Sequence, residues 1–324
     1  MKIYRIVFLV VISSLGYSCG DGEESTPVSN HSVIFENIDR AETKFSILDP
    51  ESTGILANNV VTPTANFNYF LWASIYNGSG VGVADFDNDG LPDIYIGQNM
   101  TQDKLYLNKG DMKFEDITAT SLPKNNQWTS GVSVVDINND GWMDIYVCTF
   151  GPDINPKNRK NRLLINQKNN TFKESAAEYG IADQGYTIMA TFFDVDKDGD
   201  KDLYVVNQPI DGKMAKVRGI PYPDKSYNYT DKLYIRNANG KYEDQTAQYG
   251  VNNLAYGLNV LVNDINEDGW LDLYVTNDYS EPDFIYINKD GKSFENQLED
   301  RVGHISNFSM GSDVGDINND GLND

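Results

Sequence analysis

Residues 80–97 read GVGVADFDNDGLPDIYIG, and this stretch decides the fold. A run of small and β-branched residues enters an aspartate-rich loop, Asp85 to Asp93, and an apolar DIYI run leaves it. Two strand-like segments around a glycine-bearing loop predict a β-hairpin. The phrase returns as GVSVVDINNDGWMDIYVC at 131–148, IMATFFDVDKDGDKDLYVVN at 188–207 and GLNVLVNDINEDGWLDLYVTN at 257–277. A fifth copy, MGSDVGDINNDGLND, occupies 310–324.

Two further phrases follow each of the first four loops in fixed order. One is KLYLNKG from Lys104, RLLINQ from Arg162, KLYIRN from Lys232 and FIYINKD from Phe284. The other is KFEDIT from Lys113, TFKESA from Thr171, KYEDQT from Lys241 and SFENQ from Ser293. Each unit thus carries four short β-type segments, a to d, with the Asp loop between a and b. Four short strands recurring every fifty to seventy residues predict the blades of an all-β propeller, since no such unit buries both faces alone. The expectation is about four complete four-stranded antiparallel blades plus a truncated one, belonging to a seven-bladed ring.

The loop composition points to a hard cation. Calcium takes six to eight oxygen ligands, which alternate positions of a tight loop supply, and a glycine at position 6 permits the turn. Positions 1, 3, 5 and 9 are Asp85, Asp87, Asp89 and Asp93 in the first loop, and Asp136, Asn138, Asp140 and Asp144 in the second. They are Asp194, Asp196, Asp198 and Asp202 in the third, and Asp264, Asn266, Asp268 and Asp272 in the fourth. In the fifth they are Asp316, Asn318, Asp320 and Asp324. An EF-hand would place a bidentate Glu at position 12. Here that position holds Ile96, Val147, Val205 and Val275, inside strand-like runs. The competing reading is a row of Asx turns, which need one or two such residues rather than four in register. Loops with Asn at position 3 carry one charge fewer and are expected to bind Ca²⁺ more weakly.

The whole chain agrees with this reading. Its 324 residues carry 48 acidic and 26 basic side chains, for a formal charge of −22, which excludes a basic nucleic-acid surface. Lys2 and Arg5 precede the apolar run Ile6 to Ile12, the pattern of a signal peptide over 1–18. Leu15-Gly16-Tyr17-Ser18-Cys19 is similar to a bacterial lipobox with its leucine displaced by one place. It predicts lipidation at Cys19, a tether over 19–44 and a cell-envelope, outer-membrane or surface location. The alternative is an ordinary cleaved signal and a secreted protein. Cys148 has no partner within the repeats and reads as a buried thiol, while His31 and His304 suggest no site. Residues 31–76 read as a partial blade or a lead-in, within a repeat domain assigned to 45–324.

These phrases resemble the FG-GAP/VCBS repeats of integrin α-chain propellers and bacterial surface proteins. YNGSGVGVADFDNDGLPDIYIGQN, KLYLNKGDMKFEDIT and WTSGVSVVDINNDGWMDIYV further resemble bacterial relatives of cartilage acidic protein, which often end in an ASPIC/UnbV domain. The resemblance implies a propeller and no known catalytic activity. The expected function is a non-enzymatic, calcium-stiffened binding or adhesion module for a glycan or protein ligand. The alternatives are a calcium-dependent polysaccharide lyase, which would need a basic residue such as Arg159 or Lys216 beside a charge-neutralising cation, and a structural spacer. The loops between segments b and c hold Lys157, Arg159, Lys160, Lys213, Lys216, Arg218, Tyr222, Tyr227 and Tyr229, a surface of binding character or a solvated insertion. Aromatics recur eight residues before the loops, at Trp128, Tyr186, Tyr256 and Phe308. They either pack between blades or stack on sugars.

Overall fold

The computed structural model describes residues 45–65, 67–70, 73–151, 159–209, 229–279, 281–305, 308–321 and 323. The signal segment, the tether with Cys19, the ligand position Asp324 and the insertion residues Lys157, Lys213, Lys216, Arg218, Tyr222 and Tyr227 lie outside them. Contacts divide the chain after Ile47, and all of the sheets belong to the compact unit Leu48–Asp324.

Among the described residues the fold is all-β and propeller-like, built of four sheets. The first contains β1 (Val81–Ala84), β2 (Asp93–Ile96), β3 (Lys104–Asn108) and β4 (Phe114–Asp116). The second contains β5 (Trp128–Val135), β6 (Asp144–Phe150), β7 (Arg162–Asn166) and β8 (Phe172–Glu174). The third contains β9 (Thr187–Phe193), β10 (Asp202–Asn207), β11 (Lys232–Arg236) and β12 (Tyr242–Asp244). The fourth contains β13 (Tyr256–Asn263), β14 (Asp272–Asp278), β15 (Phe284–Asn288) and β16 (Phe294–Asn296). Each is an antiparallel meander in which every strand pairs with its sequence neighbours. The Asp loops therefore join the first and second strands of each sheet, all at one end. The connections between second and third strands lie at the other.

Consecutive sheets pack through their first strands, β1 on β5, β5 on β9 and β9 on β13. The second strands are apolar on both faces, and their alternation divides them between two cores. Ile145 and Val147 of β6 face Phe86, Tyr95 and Leu105 of the first sheet. Tyr146 and Cys148 face Leu203 and Val205 of the third. Tyr204 and Val206 of β10 then face Leu273 and Val275 of the fourth. Cys148 is fully buried, and burial holds its thiol well above the ordinary range, as expected of an inert core residue. Backbones approach closely where the first strands meet. A Cβ on Gly131 would lie 2.4 Å from the Ile188 carbonyl oxygen, so only glycine fits between β5 and β9.

Two local features were not visible in the sequence pattern. A single helical turn follows each fourth strand, at Thr118–Ser121, Ala176–Tyr179, Thr246–Tyr249 and Leu298–Arg301. Four residues are too few to show a helical period. In the region before β1, the described residues form no sheet. Its described part holds one helical turn (Pro50–Thr53), a 3-10 turn (Ala73–Tyr76) and an isolated bridge between Thr64 and Phe67. Phe67 and Ile75 anchor it beside Trp128 and Tyr186, and the Phe67 ring meets Trp128 edge-on at 5.3 Å.

Candidate metal centres

The five Asp loops adopt one conformation. Position 4 is left-handed in each, at Asn88 (φ 57°), Asn139 (57°), Lys197 (62°), Glu267 (60°) and Asn319 (60°). Position 6 is a glycine with φ between 82° and 91°, from Gly90 to Gly321. These left-handed residues turn the backbone N–H groups inward, toward the loop carboxylates.

The first aspartate gathers those amides. Asp85 accepts from the N–H of Asp89 at 3.1 Å and of Gly90 at 2.8 Å. Asp136, Asp264 and Asp316 accept the corresponding pairs, each at 3.0 and 2.8 Å. At position 3, Asp87, Asn138, Asp196, Asn266 and Asn318 each accept the position 5 N–H. At position 5, Asp89, Asp140, Asp198 and Asp268 accept the N–H two residues on.

The ninth residue begins the second strand and is the most buried of the set. Both Asp93 oxygens are engaged at 2.8 Å, by the Phe86 and Asn108 N–H groups. Asp144 accepts from Ile137 and Asn166, Asp202 from Val195 and Arg236, and Asp272 from Ile265 and Asn288. These aspartates stitch each loop to the third strand of its sheet, whether or not they also hold an ion. That second duty was not legible in the sequence, because the donors lie 15 to 34 residues downstream.

Two loops bring three carboxylates within mutual ligating reach, a span of 4.8 Å. In the first loop the trio is Asp85, Asp87 and Asp89; in the third it is Asp194, Asp196 and Asp202. Asp93 and Asp198 stand outside those trios. The three loops with Asn at position 3 form no such group among the described residues.

The donor set fits a hard divalent cation. Every side-chain donor is a carboxylate or amide oxygen. Asp194 Oδ1 is buried and has no hydrogen-bond partner, an orphan that a cation would satisfy. Proton affinities agree. Burial pushes the Asp144 and Asp202 carboxyls up to about 7; the backbone N–H bonds oppose the rise, and neighbouring loop carboxylates add to it. Asp93, Asp196 and Asp272 are raised by the same causes, burial first. A bound cation would relieve both the burial of charge and the mutual repulsion.

The opposite end of the sheets carries a second recurring group, Asp103, Asn161, Asp231 and Asp283, each just before the third strand and fully buried. Tyr95, Tyr204 and Tyr274 hydroxyls donate to Asp103, Asp231 and Asp283 at 2.7, 2.8 and 2.8 Å. In the second sheet Asn161 reverses the bond and donates to the Tyr146 hydroxyl at 3.1 Å. Each also accepts a backbone N–H from the end of the second strand. The signal was a single Asp or Asn before each KLY-type phrase, in register with the Tyr of each D-[IL]-Y.

The register-locked aromatics divide. Trp128 and Tyr186 are buried in one cluster with the lead-in. The Arg159 guanidinium lies 3.7 Å over the Tyr186 ring and donates to the Gly185 and Gln184 carbonyls. Tyr256 meets Tyr279 edge-on at 4.8 Å, and Tyr279 meets Phe308 at 6.4 Å, with Tyr279 and Phe308 both exposed.

The family model described as FG-GAP-like repeat matches residues 85–147 and 264–324, which contain four of the five Asp loops. The match is to the repeat and does not extend to the narrower likeness with cartilage-acidic-protein relatives. No curated protein matches the chain. Among solved structures, a chain of the Photorhabdus luminescens Tc holotoxin pore is 17% identical, with 67% of this chain and 9% of that chain covered and a TM-score of 0.33. This chain therefore spans about a tenth of the length of that one.

Proposed function

The chain carries FG-GAP-like repeats, and from that premise we propose that it is a calcium-binding surface module that holds a glycan or protein ligand and performs no chemistry of its own. The observation that carries this reading is the recurrence, at one end of successive sheets, of an oxygen-only loop of one conformation, whose carboxylates converge in the first and third copies. Asp85, Asp87 and Asp89 would hold one ion, and Asp194, Asp196 and Asp202 another, with the remaining loop residues completing the set. The ion supplies positive charge that fixes the loop; the chain supplies pre-turned amides that hold each carboxylate in place. Cations at one end leave the other end, with its long insertions, for a partner.

A lyase reading loses support from Arg159, which is buried and spends its guanidinium on two carbonyls and a ring. Attachment to the cell envelope through Cys19 completes the proposal, because the lipobox-like segment precedes a tether and a repeat domain. Calorimetric titration of calcium, with melting temperature measured before and after a chelator, tests the central claim. Several binding events and a melting temperature that falls on chelation are expected. A folded protein with neither would reduce the loops to turns.

A further inference from the structure

Neighbouring Asp loops are joined by hydrogen bonds, and the joins are unevenly placed. Between the first and second loops a relay of three bonds runs unbroken. Phe86 donates its N–H to Asp93, the ninth residue of loop one, at 2.8 Å. The Phe86 carbonyl accepts from Asn166 Nδ2 at 2.8 Å. The Asn166 N–H donates to Asp144, the ninth residue of loop two, at 2.8 Å. The third and fourth loops repeat this relay. Val195 donates to Asp202 at 2.9 Å, Asn288 Nδ2 donates to the Val195 carbonyl at 2.9 Å, and the Asn288 N–H donates to Asp272 at 2.8 Å.

Between loops two and three the middle link is absent. The residue at the end of that third strand is Arg236. Its N–H still donates to Asp202 at 2.8 Å, but its guanidinium turns to Asp200 at 2.6 Å. Among the described residues it makes no bond to the Ile137 carbonyl, the counterpart of Phe86 and Val195. A second set of contacts follows the same division. Asn88 Nδ2 of loop one donates to the Gly141 carbonyl of loop two at 3.1 Å, and the Lys197 ammonium of loop three lies 4.0 Å over the Trp270 ring of loop four.

We propose that the loops take up cations as two coupled pairs, one with two and three with four, with a break between the pairs at Arg236. This rests on the reading of the loops as ion sites. The relay joins peptide dipoles and an amide whose orientations are mutually dependent, so an ion that fixes Asp93 fixes the Phe86 peptide, the Asn166 amide and then Asp144. Repulsion between ions would make loss of one ion strengthen its neighbours, whereas the relay makes it weaken the paired one. Weakening confined to the paired loop, and abolished by Asn166→Ala, is therefore the signature of the relay.

The test is a calcium titration of the full chain followed by amide resonances. Gly90, Gly141, Gly199 and Gly269 each donate an N–H to the first aspartate of their own loop, so each reports one site. Disabling loop one by Asp85→Asn with Asp89→Asn should weaken loop two about fivefold or more and leave loops three and four within about twofold. Asn166→Ala should remove the coupling of one with two, and Arg236→Asn should create coupling of two with three. Equal weakening of all remaining loops, or none, overturns the pairing while leaving the ion sites intact. No calcium response at any glycine overturns both. Should Asn166→Ala fail to fold, Arg236→Asn, which removes no donor to a buried carbonyl, decides the matter alone.

Discussion

Replacing Arg162 with methionine should cost about 3 kcal/mol of folding stability, at the low end of the ~3–5 kcal/mol typical when one partner of a buried ion pair is removed. Arg162 and Asp103 are the one ion pair among the described residues that is buried on both sides, with side-chain exposures of 9% and 0%. The pair joins the second sheet to the first. Without the guanidinium, Asp103 remains a buried carboxylate that keeps four neutral donors. These are the Tyr95 hydroxyl at 2.7 Å, the Gln98 N–H at 2.7 Å, the Thr129 hydroxyl at 2.9 Å and Asn125 Nδ2 at 3.1 Å. Each such bond is worth about 1 kcal/mol, which is why the loss falls at the low end of the range. Adding Asp103→Asn to Arg162→Met removes the orphaned charge and should recover much of the loss, giving a coupling energy of about 2 kcal/mol. Urea unfolding of the four proteins in saturating calcium measures the cycle. Calcium affinity should stay within about twofold, because the pair lies at the end of the sheets remote from the Asp loops. A single-mutant cost below about 1 kcal/mol, or additive costs in the double mutant, would refute the reasoning.

The pH response should change sign with calcium. Asp144 and Asp202 have folded pKa values of about 7, above the unfolded value of about 3.9. Their contribution is therefore full below the unfolded value and lost as pH rises through about 7. In chelator the melting temperature should fall from about pH 5 to about pH 8; in saturating calcium it should rise, because protons displace the ion. Parallel trends in the two buffers would contradict this. Gly131→Ala should cost about 1–3 kcal/mol in chemical denaturation, since its Cβ would meet the Ile188 carbonyl at 2.4 Å and force β5 from β9. Wild-type stability in that variant would show that the sheets part without penalty.

The sequence made the repeat legible because two independent periods agree. The period of two along DIYV and DLYV places alternate residues in alternate cores, as Tyr146 and Val147 show. The longer period places each Asp loop in the same turn, down to the left-handed residue at position 4. What the sequence hid were the contacts between units. The phrases KLYLN, RLLIN, KLYIR and FIYIN display an Asn-to-Arg change at Arg236, yet nothing local says that Asn166 and Asn288 reach back to a neighbouring loop. Asp103 and its counterparts looked like turn residues before a strand. Their meaning lies in a tyrosine hydroxyl from the preceding strand and, for Asp103, in an arginine 59 residues away. The aromatics at Trp128 and Tyr186 were open between packing and ligand stacking, and only their burial against the lead-in assigns those two to packing.

In the first, third and fourth sheets the two ends surround a buried carboxylate in different ways. At the end away from the loops, Asp103, Asp231 and Asp283 are surrounded by donors from several strands. Those bonds fix the roots of the connections that carry the insertions, while Gln98 Nε2, Arg162 Nε, Asn253 Oδ1 and Asn277 Oδ1 stay buried with no hydrogen-bond partner. At the loop end the first, third and fifth positions take their donors from amides of the loop itself, and the ninth takes one from the loop and one from the third strand. In the first and third loops three carboxylates approach within 4.8 Å of one another, and in the third Asp194 Oδ1 has no hydrogen-bond partner. Such an arrangement is costly unless a cation enters it. If the loops are ion sites, the stability of that end depends on the cation concentration around it, and chelation should lower the melting temperature.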